Sequence, residues 1–135
     1  MVDGLHEELA TRGWTDVRPA FGFVLLAAKD QPTSSTEIAN LMGMSKQAGS
    51  KLIDTMVEAG YLERSAAPLD RRQRPVQLTA RGRALLDVVE AIYDQLEARW
   101  ADIVGPAELE QLRGLLTRVL TVDGSQELPP VRPTW

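Results

Sequence analysis

The sequence predicts a mainly α chain that carries one small β-hairpin. Three observations lead there. Apolar residues recur at three- and four-residue spacing through most of the 135 residues, the period of helices with one buried face. Two such stretches, 37–42 and 46–59, are separated only by Gly43-Met44-Ser45. Two short runs with strand character, Tyr61-Leu62-Glu63-Arg64 and Pro75-Val76-Gln77-Leu78, then bracket a charged loop over Pro68 to Gln73.

Taken in order, residues 2–11 predict a short helix through Val2, Leu5, Leu9 and Ala10, and Gly13 ends it in the left-handed conformation that glycine adopts cheaply. Asp16 is expected to cap a second helix, with Pro19 early enough that its missing N–H costs little, and Phe21, Val24, Leu25 and Ala28 as its core face. Pro32 and the Ser/Thr cluster mark a loop. Ser34 and Glu37 have capping-box spacing before a helix from Glu37 to Met42, which Gly43 stops. Ser45 is the N-cap of the next helix, which runs to about Ala59 and ends at Gly60. A connection of about three residues containing Gly is that of a helix-turn-helix. In the hairpin that follows, Pro75 suits an edge position, because it has no N–H to give a neighbouring strand. Thr79 caps a long helix from Ala80 to about Val104, with Leu85, Val89, Ile92, Leu96, Trp100 and Ile103 along one side. Its length of roughly 35 Å exceeds what a small domain covers, so the distal half needs another partner. A last amphipathic helix over 107–121 has Leu109, Leu112, Leu116 and Val119 on one stripe, and residues 122–135 are expected to form an irregular tail.

Composition narrows the function. Hydrophobic residues make up 44% and charged residues 25%, as in an ordinary soluble protein, and the longest apolar runs, such as Phe23 to Ala28, are too short to span a bilayer. The N-terminus has no secretory pattern, so a cytoplasmic location is expected. Without cysteine there are no disulfides, thiolate nucleophiles or Cys-based zinc sites. The sequence has no phosphate-binding Gly-rich loop, nucleophile elbow or metal-ligand cluster, which leaves no basis for an enzyme and no expected cofactor. His6, the only histidine, reads as a surface residue. The net charge of −4 conceals an uneven distribution: residues 44–83 hold eight cations against four anions, while the flanks are −3 and −5.

That basic stretch includes the second helix of the helix-turn-helix. Projected at about 100° per residue, Ala48, Leu52, Met56 and Ala59 fall together with Ile53 beside them, and are expected inside. Gln47, Ser50 and Lys51, with Lys46 alongside, fall opposite, and Asp54 and Glu58 lie further along. A recognition helix reads bases from its N-terminal turns, where Gln pairs with adenine, Lys with guanine, and Ser45 or Ser50 with a phosphate or base edge. Gly49 within this helix costs about 1 kcal/mol against Ala, a cost that close helix packing would justify. Alone this is equally an ordinary amphipathic surface helix. The hairpin adds Arg64, Arg71, Arg72 and Arg74 on or beside a narrow loop, where guanidinium forks can grip phosphates or enter the minor groove. Asp70 either orients Arg72 or serves as a turn residue. Ser45, Lys46, Gln47, Ser50, Lys51, Arg71, Arg72 and Arg74 are therefore the candidate DNA-binding residues.

Two segments resemble the MarR family of transcriptional regulators: Glu37-Ile38-Ala39 through Ser45-Lys46-Gln47-Ala48 to Gly60-Tyr61-Leu62-Glu63-Arg64, and the wing signature Asp70-Arg71-Arg72-Gln73-Arg74-Pro75-Val76-Gln77-Leu78-Thr79-Ala80-Arg81-Gly82. The likeness covers roughly residues 17–100, and the first helix is short for the family. It implies a winged helix-turn-helix homodimer on palindromic double-stranded DNA, usually a repressor of nearby genes released by a small aromatic or phenolic effector, with Arg72 as the DNA-contacting wing arginine. The expected division is a DNA-binding region over 17–79, dimerisation helices over 1–12 and 80–121, and the tail. A two-fold dimer would set its recognition helices about 34 Å apart; alternatively the last two helices cover only each other. Trp14, Arg18, Phe21, Tyr93 and Trp100 either line an effector pocket or are plain core. The competing readings are a winged helix that binds another protein, and a regulator without an effector.

Overall fold

The structure is a computed structural model that describes residues 2–65 and 74–120. In chain order the elements are α1 (Val2–Thr11), α2 (Pro19–Ala27), α3 (Ser35–Leu41), α4 (Lys46–Glu58), β1 (Leu62–Arg64), β2 (Val76–Leu78), α5 (Ala80–Val104) and α6 (Pro106–Leu120). The mainly α chain with one small hairpin is thus the observed fold. The described residues fall into two compact units, one up to Val89 and one from Glu90 onward, with the helix α5 contributing to both. Among them no helix is long and apolar enough to cross a membrane.

The first unit is built around Phe21, Val24 and Leu25 of α2, Ile38 of α3, Ile53 and Met56 of α4, Tyr61, and Leu85 of α5, all 2% exposed or less. Leu5 and Leu9 of α1 are buried as well, and Gly13 ends that helix at φ 87°. Phe21 meets Tyr61 edge-on at 5.6 Å, so it is core and not the wall of an open pocket. Asp16 does not cap α2. The N-cap is Arg18, whose side chain makes no cap bond, and Pro19 follows it at the start of the helix. The Asp16 carboxylate instead accepts a hydrogen bond from the Tyr61 hydroxyl (2.6 Å) and one from Arg81 (3.1 Å), where charge assistance outweighs what a neutral N–H offers.

The capping box on α3 is present as its spacing predicts. Ser34 Oγ accepts from the Glu37 N–H (3.3 Å), while Glu37 Oε2 accepts from the Ser34 N–H (2.7 Å) and the Thr33 hydroxyl (3.2 Å). The helix starts at Ser35, directly after the cap. These bonds, led by the Ser34 backbone N–H, hold the Glu37 carboxyl below its usual value of 4.5. A lowered folded-state pKa means that the contribution is present above the unfolded-state value and disappears as pH falls through the folded-state value. The stability difference between wild type and Glu37→Gln, taken from urea midpoints, should therefore be largest near neutrality and shrink below about pH 4.5.

Gly43, at φ 59°, turns the chain from α3 into α4, whose N-cap Ser45 accepts from the Ala48 N–H at 3.1 Å. The inner face of α4 is offset from the projected one. Gly49, Ile53 and Met56 are buried, Leu52 and Ala59 are half-buried, and Ala48 is exposed. The reason is the approach of α3: a Cβ on Gly49 would come within 2.8 Å of the Ser35 carbonyl oxygen and 3.0 Å of Ala39 Cβ. Only the residue without a side chain fits at that crossing, which accounts for a glycine inside this helix.

The strands pair antiparallel with Leu62 opposite Leu78, Glu63 opposite Gln77 and Arg64 opposite Val76. Tyr61 precedes the first strand instead of joining it. Thr33 adds a bridge to the other side of Val76, exchanging N–H···O bonds of 2.9 and 2.8 Å. Val76 is therefore flanked on both sides, and Pro75 is not an edge residue. It lies just before β2, and its carbonyl accepts from the Ser65 N–H. The expected loop at Pro68 to Gln73 lies outside the described residues.

Thr79 starts α5: its hydroxyl accepts from the Gly82 N–H at 3.0 Å and donates to the Gly60 carbonyl at 2.6 Å. Leu85, Val89 and Ile92 are buried as the stripe predicts, whereas Trp100 is 38% and Ile103 79% exposed. In the second unit α6 has no buried residue. Leu112, Leu115, Leu116, Val119 and Leu120 are about half exposed or more, and Arg113 ties the helix to Glu97 of α5 at 2.7 Å.

Candidate nucleic-acid interface

Five of the eight residues singled out in the sequence gather at one end of α4. Ser45 caps it, Lys46 and Gln47 occupy its first turn, and Ser50 and Lys51 follow one turn later. Ser45, Lys46, Gln47 and Lys51 are exposed, while Ser50, on the flank of the buried face, is half-buried. With Gly49, Ile53 and Met56 turned inward, helical geometry puts Gln47, Lys51, Asp54 and Glu58 along the opposite side. The helix thus offers amide and ammonium donors near its N-terminus, where unpaired backbone N–H groups and the helix dipole also favour an anion. The two carboxylates lie further along.

Arg74 is exposed at the foot of the hairpin, just before β2. Arg71 and Arg72, together with Asp70 and Gln73, lie outside the described residues. Arg64 departs from the expected pattern. Its guanidinium donates to Asp54 on α4 at 2.6 Å and to the Arg74 carbonyl at 3.4 Å, so it is engaged by the protein itself. Sequence reasoning missed this pair. Asp54 had a visible place on the outer face of α4, but nothing in the spacing of two residues ten apart in different elements announces a bond between them.

A second cation of the basic stretch is also engaged. Arg81, in the first turn of α5, donates to Asp16 (3.1 Å) and to the Tyr61 hydroxyl (3.2 Å), and its guanidinium lies 4.7 Å from the Tyr61 ring centre and 5.8 Å from that of Trp14. Burial, and then the hydrogen bond to Asp16, push the Tyr61 hydroxyl above its usual value, so it stays a protonated donor. The cluster joins the segment before α2, the end of α4 and the start of α5. It holds the helix-turn-helix to the base of α5, and its cation is spent on the protein.

Residues 23–73 match the model of the MarR family. Solved structures similar to the whole chain include a MarR-family transcriptional regulator from Rhodococcus sp. RHA1, at 23% identity and a TM-score of 0.68 over 87% of this chain and 83% of that one. RV1404 from Mycobacterium tuberculosis is similar at 24% identity and a TM-score of 0.72, over 93% and 86% of the two chains. FabT from Streptococcus pneumoniae, solved in complex with DNA, is similar at 17% identity and a TM-score of 0.73, over 90% and 87%. MarR-family members are transcriptional regulators and not enzymes. Family match and fold agree: residues 23–73 match the MarR-family model, and the chain has the winged-helix fold of the MarR-family regulators it resembles.

Proposed function

We propose that the protein is a dimeric, sequence-specific DNA-binding regulator of transcription that represses genes through a palindromic site. The observation that carries this reading is the outer face of α4, where Gln47 and Lys51 stand exposed beside a capped N-terminus and opposite a buried Gly49-Ile53-Met56 face. Gln47, Ser50 and Lys51 read base edges in the major groove, and Ser45 and Lys46 meet the backbone. Arg71, Arg72 and Arg74 of the wing hold phosphates or the minor groove. Residues 17–79 form the DNA-binding region, and residues 1–12 and 80–121 supply the dimer interface. The DNA complexes of FabT and of a MepR variant, both similar in fold, support the choice of DNA as partner. A small aromatic or phenolic effector releases the repressor by favouring a dimer whose two helices no longer fit successive grooves. Couplings of that kind typically amount to about 1–3 kcal/mol.

Selection of bound duplexes from a random pool should yield a two-fold motif. Gln47→Ala should then lose about 1–3 kcal/mol of discrimination at one base pair per half-site. Arg72→Ala should weaken binding to every sequence and lower the slope of log affinity against log salt by about one. A pool that returns no motif, together with salt-independent binding, would sink the reading.

A further inference from the structure

Arg64 ends β1, and its guanidinium serves two elements at once: one Nη donates to Asp54 Oδ1 of α4 at 2.6 Å, the other to the carbonyl of Arg74 at 3.4 Å, where the chain re-enters the hairpin. We infer that Arg64 is a positioning residue that ties the DNA-facing side of α4 to the foot of the wing and cancels the charge of Asp54, without itself gripping DNA. The inference rests on the DNA-binding reading above.

Three features support it. Asp54 lies one turn beyond Lys51 and two beyond Gln47 on the same face, so a bare carboxylate there would repel the phosphates that those residues approach. Arg64 supplies the compensating charge from another element. Its planar fork holds two nitrogens rigidly apart, one toward each acceptor, whereas a lysine carries all three of its N–H donors on one nitrogen at the end of a flexible stem. Finally, both side chains are about half exposed, 45% and 56%, and ion pairs in such surroundings add little to global stability. The effect falls instead on geometry. Arg64 pairs with Val76 in the hairpin register, so a bond from this residue to α4 fixes where the strands begin relative to the recognition helix.

The test is a double-mutant cycle on the full chain, with a fluorescent duplex carrying the site selected from a random pool and an unrelated duplex of equal length. Arg64→Ala should weaken binding to the selected duplex by about tenfold, the middle of the range for residues sharing a hydrogen bond, with a melting midpoint close to wild type. Adding Asp54→Asn should recover part of that loss, because no unpaired carboxylate then remains, and the salt slope of the double variant should match wild type. Arg64→Lys, which keeps the ion pair and loses the bond to Arg74, should fall between wild type and Arg64→Ala. A phosphate-gripping arginine behaves differently: the double variant stays as weak as Arg64→Ala and its salt slope drops by about one. Either of those results overturns the assignment. So does a fall in melting midpoint that accounts for the whole loss. If wild type binds neither duplex, the DNA-binding reading itself fails and takes this assignment with it.

Discussion

Gly82→Ala should be among the most destabilising single substitutions in this protein, at or above the top of the roughly 1–3 kcal/mol range for overpacking a close contact. Gly82 is buried in the first turn of α5, and a Cβ built there would overlap the carbonyl oxygen of Tyr61 and come within 3.4 Å of a Leu78 methyl group. That carbonyl cannot move aside cheaply. It accepts from the Thr79 N–H at 3.1 Å, and the Thr79 hydroxyl that caps α5 sits at 3.1 Å from it as well. The neighbouring Tyr61 ring is wedged among Trp14, Phe21 and Arg81. Relief requires lifting the start of α5 off the end of α4, which breaks the cap and the Arg81 cluster together. The comparison is Gly22→Ala in α2, where nothing lies within 4 Å of the added methyl and a gain of about 0.5–1 kcal/mol is expected from helix propensity. Chemical denaturation at one protomer concentration measures both, because any association makes apparent stability depend on concentration. Equal midpoints for wild type and Gly82→Ala would refute the close approach.

What the sequence disclosed and what it withheld divide along a physical line. Local signals carried through: the Ser34–Glu37 capping box, the Ser45 and Thr79 caps, and the stops at Gly13, Gly43 and Gly60 all involve residues within a few positions of each other, and each is present. The rotation of α4 did not carry through, because which of two adjacent small residues faces inward is decided by the approach of another helix. Ala48 and Gly49 differ by one methyl group, and only Gly49 fits against Ser35 and Ala39. The tertiary ion pairs were also hidden. Local spacing offers Arg64 as a phosphate-gripping cation and Asp16 as a helix cap, whereas their partners lie 10, 45 and 65 residues away along the chain. Asp54 already counts within the basic stretch, so its pairing with Arg64 leaves the surplus there unchanged, whereas Asp16 lies outside the stretch and its pairing with Arg81 lowers it.

On the proposed dimer reading, placing charges in the α6 stripe, as in Leu112→Asp combined with Leu116→Asp, should convert the dimer into monomers and cost about 10²- to 10⁴-fold in affinity for a two-fold DNA site. On α6 the side chains of Leu112, Leu116 and Val119 are 50%, 54% and 70% exposed, and on the distal part of α5 Ile103 is 79% exposed. A second copy that buries these large aliphatic side chains gains about 25 cal/mol for each Å² of apolar surface removed from water. A dimer engages two half-sites in one event, so the second contact is made at a high effective concentration; a monomer loses that advantage while keeping its own recognition helix. The double variant should therefore sediment as a monomer, keep wild-type affinity for an isolated half-site, and lose the gain on the palindrome. A loss on the half-site as well would point to misfolding, which circular dichroism detects separately. Unchanged sedimentation of the variant, or a wild type that is monomeric at micromolar concentration, would place the dimer contacts elsewhere or remove them, and a two-fold site would then need another explanation.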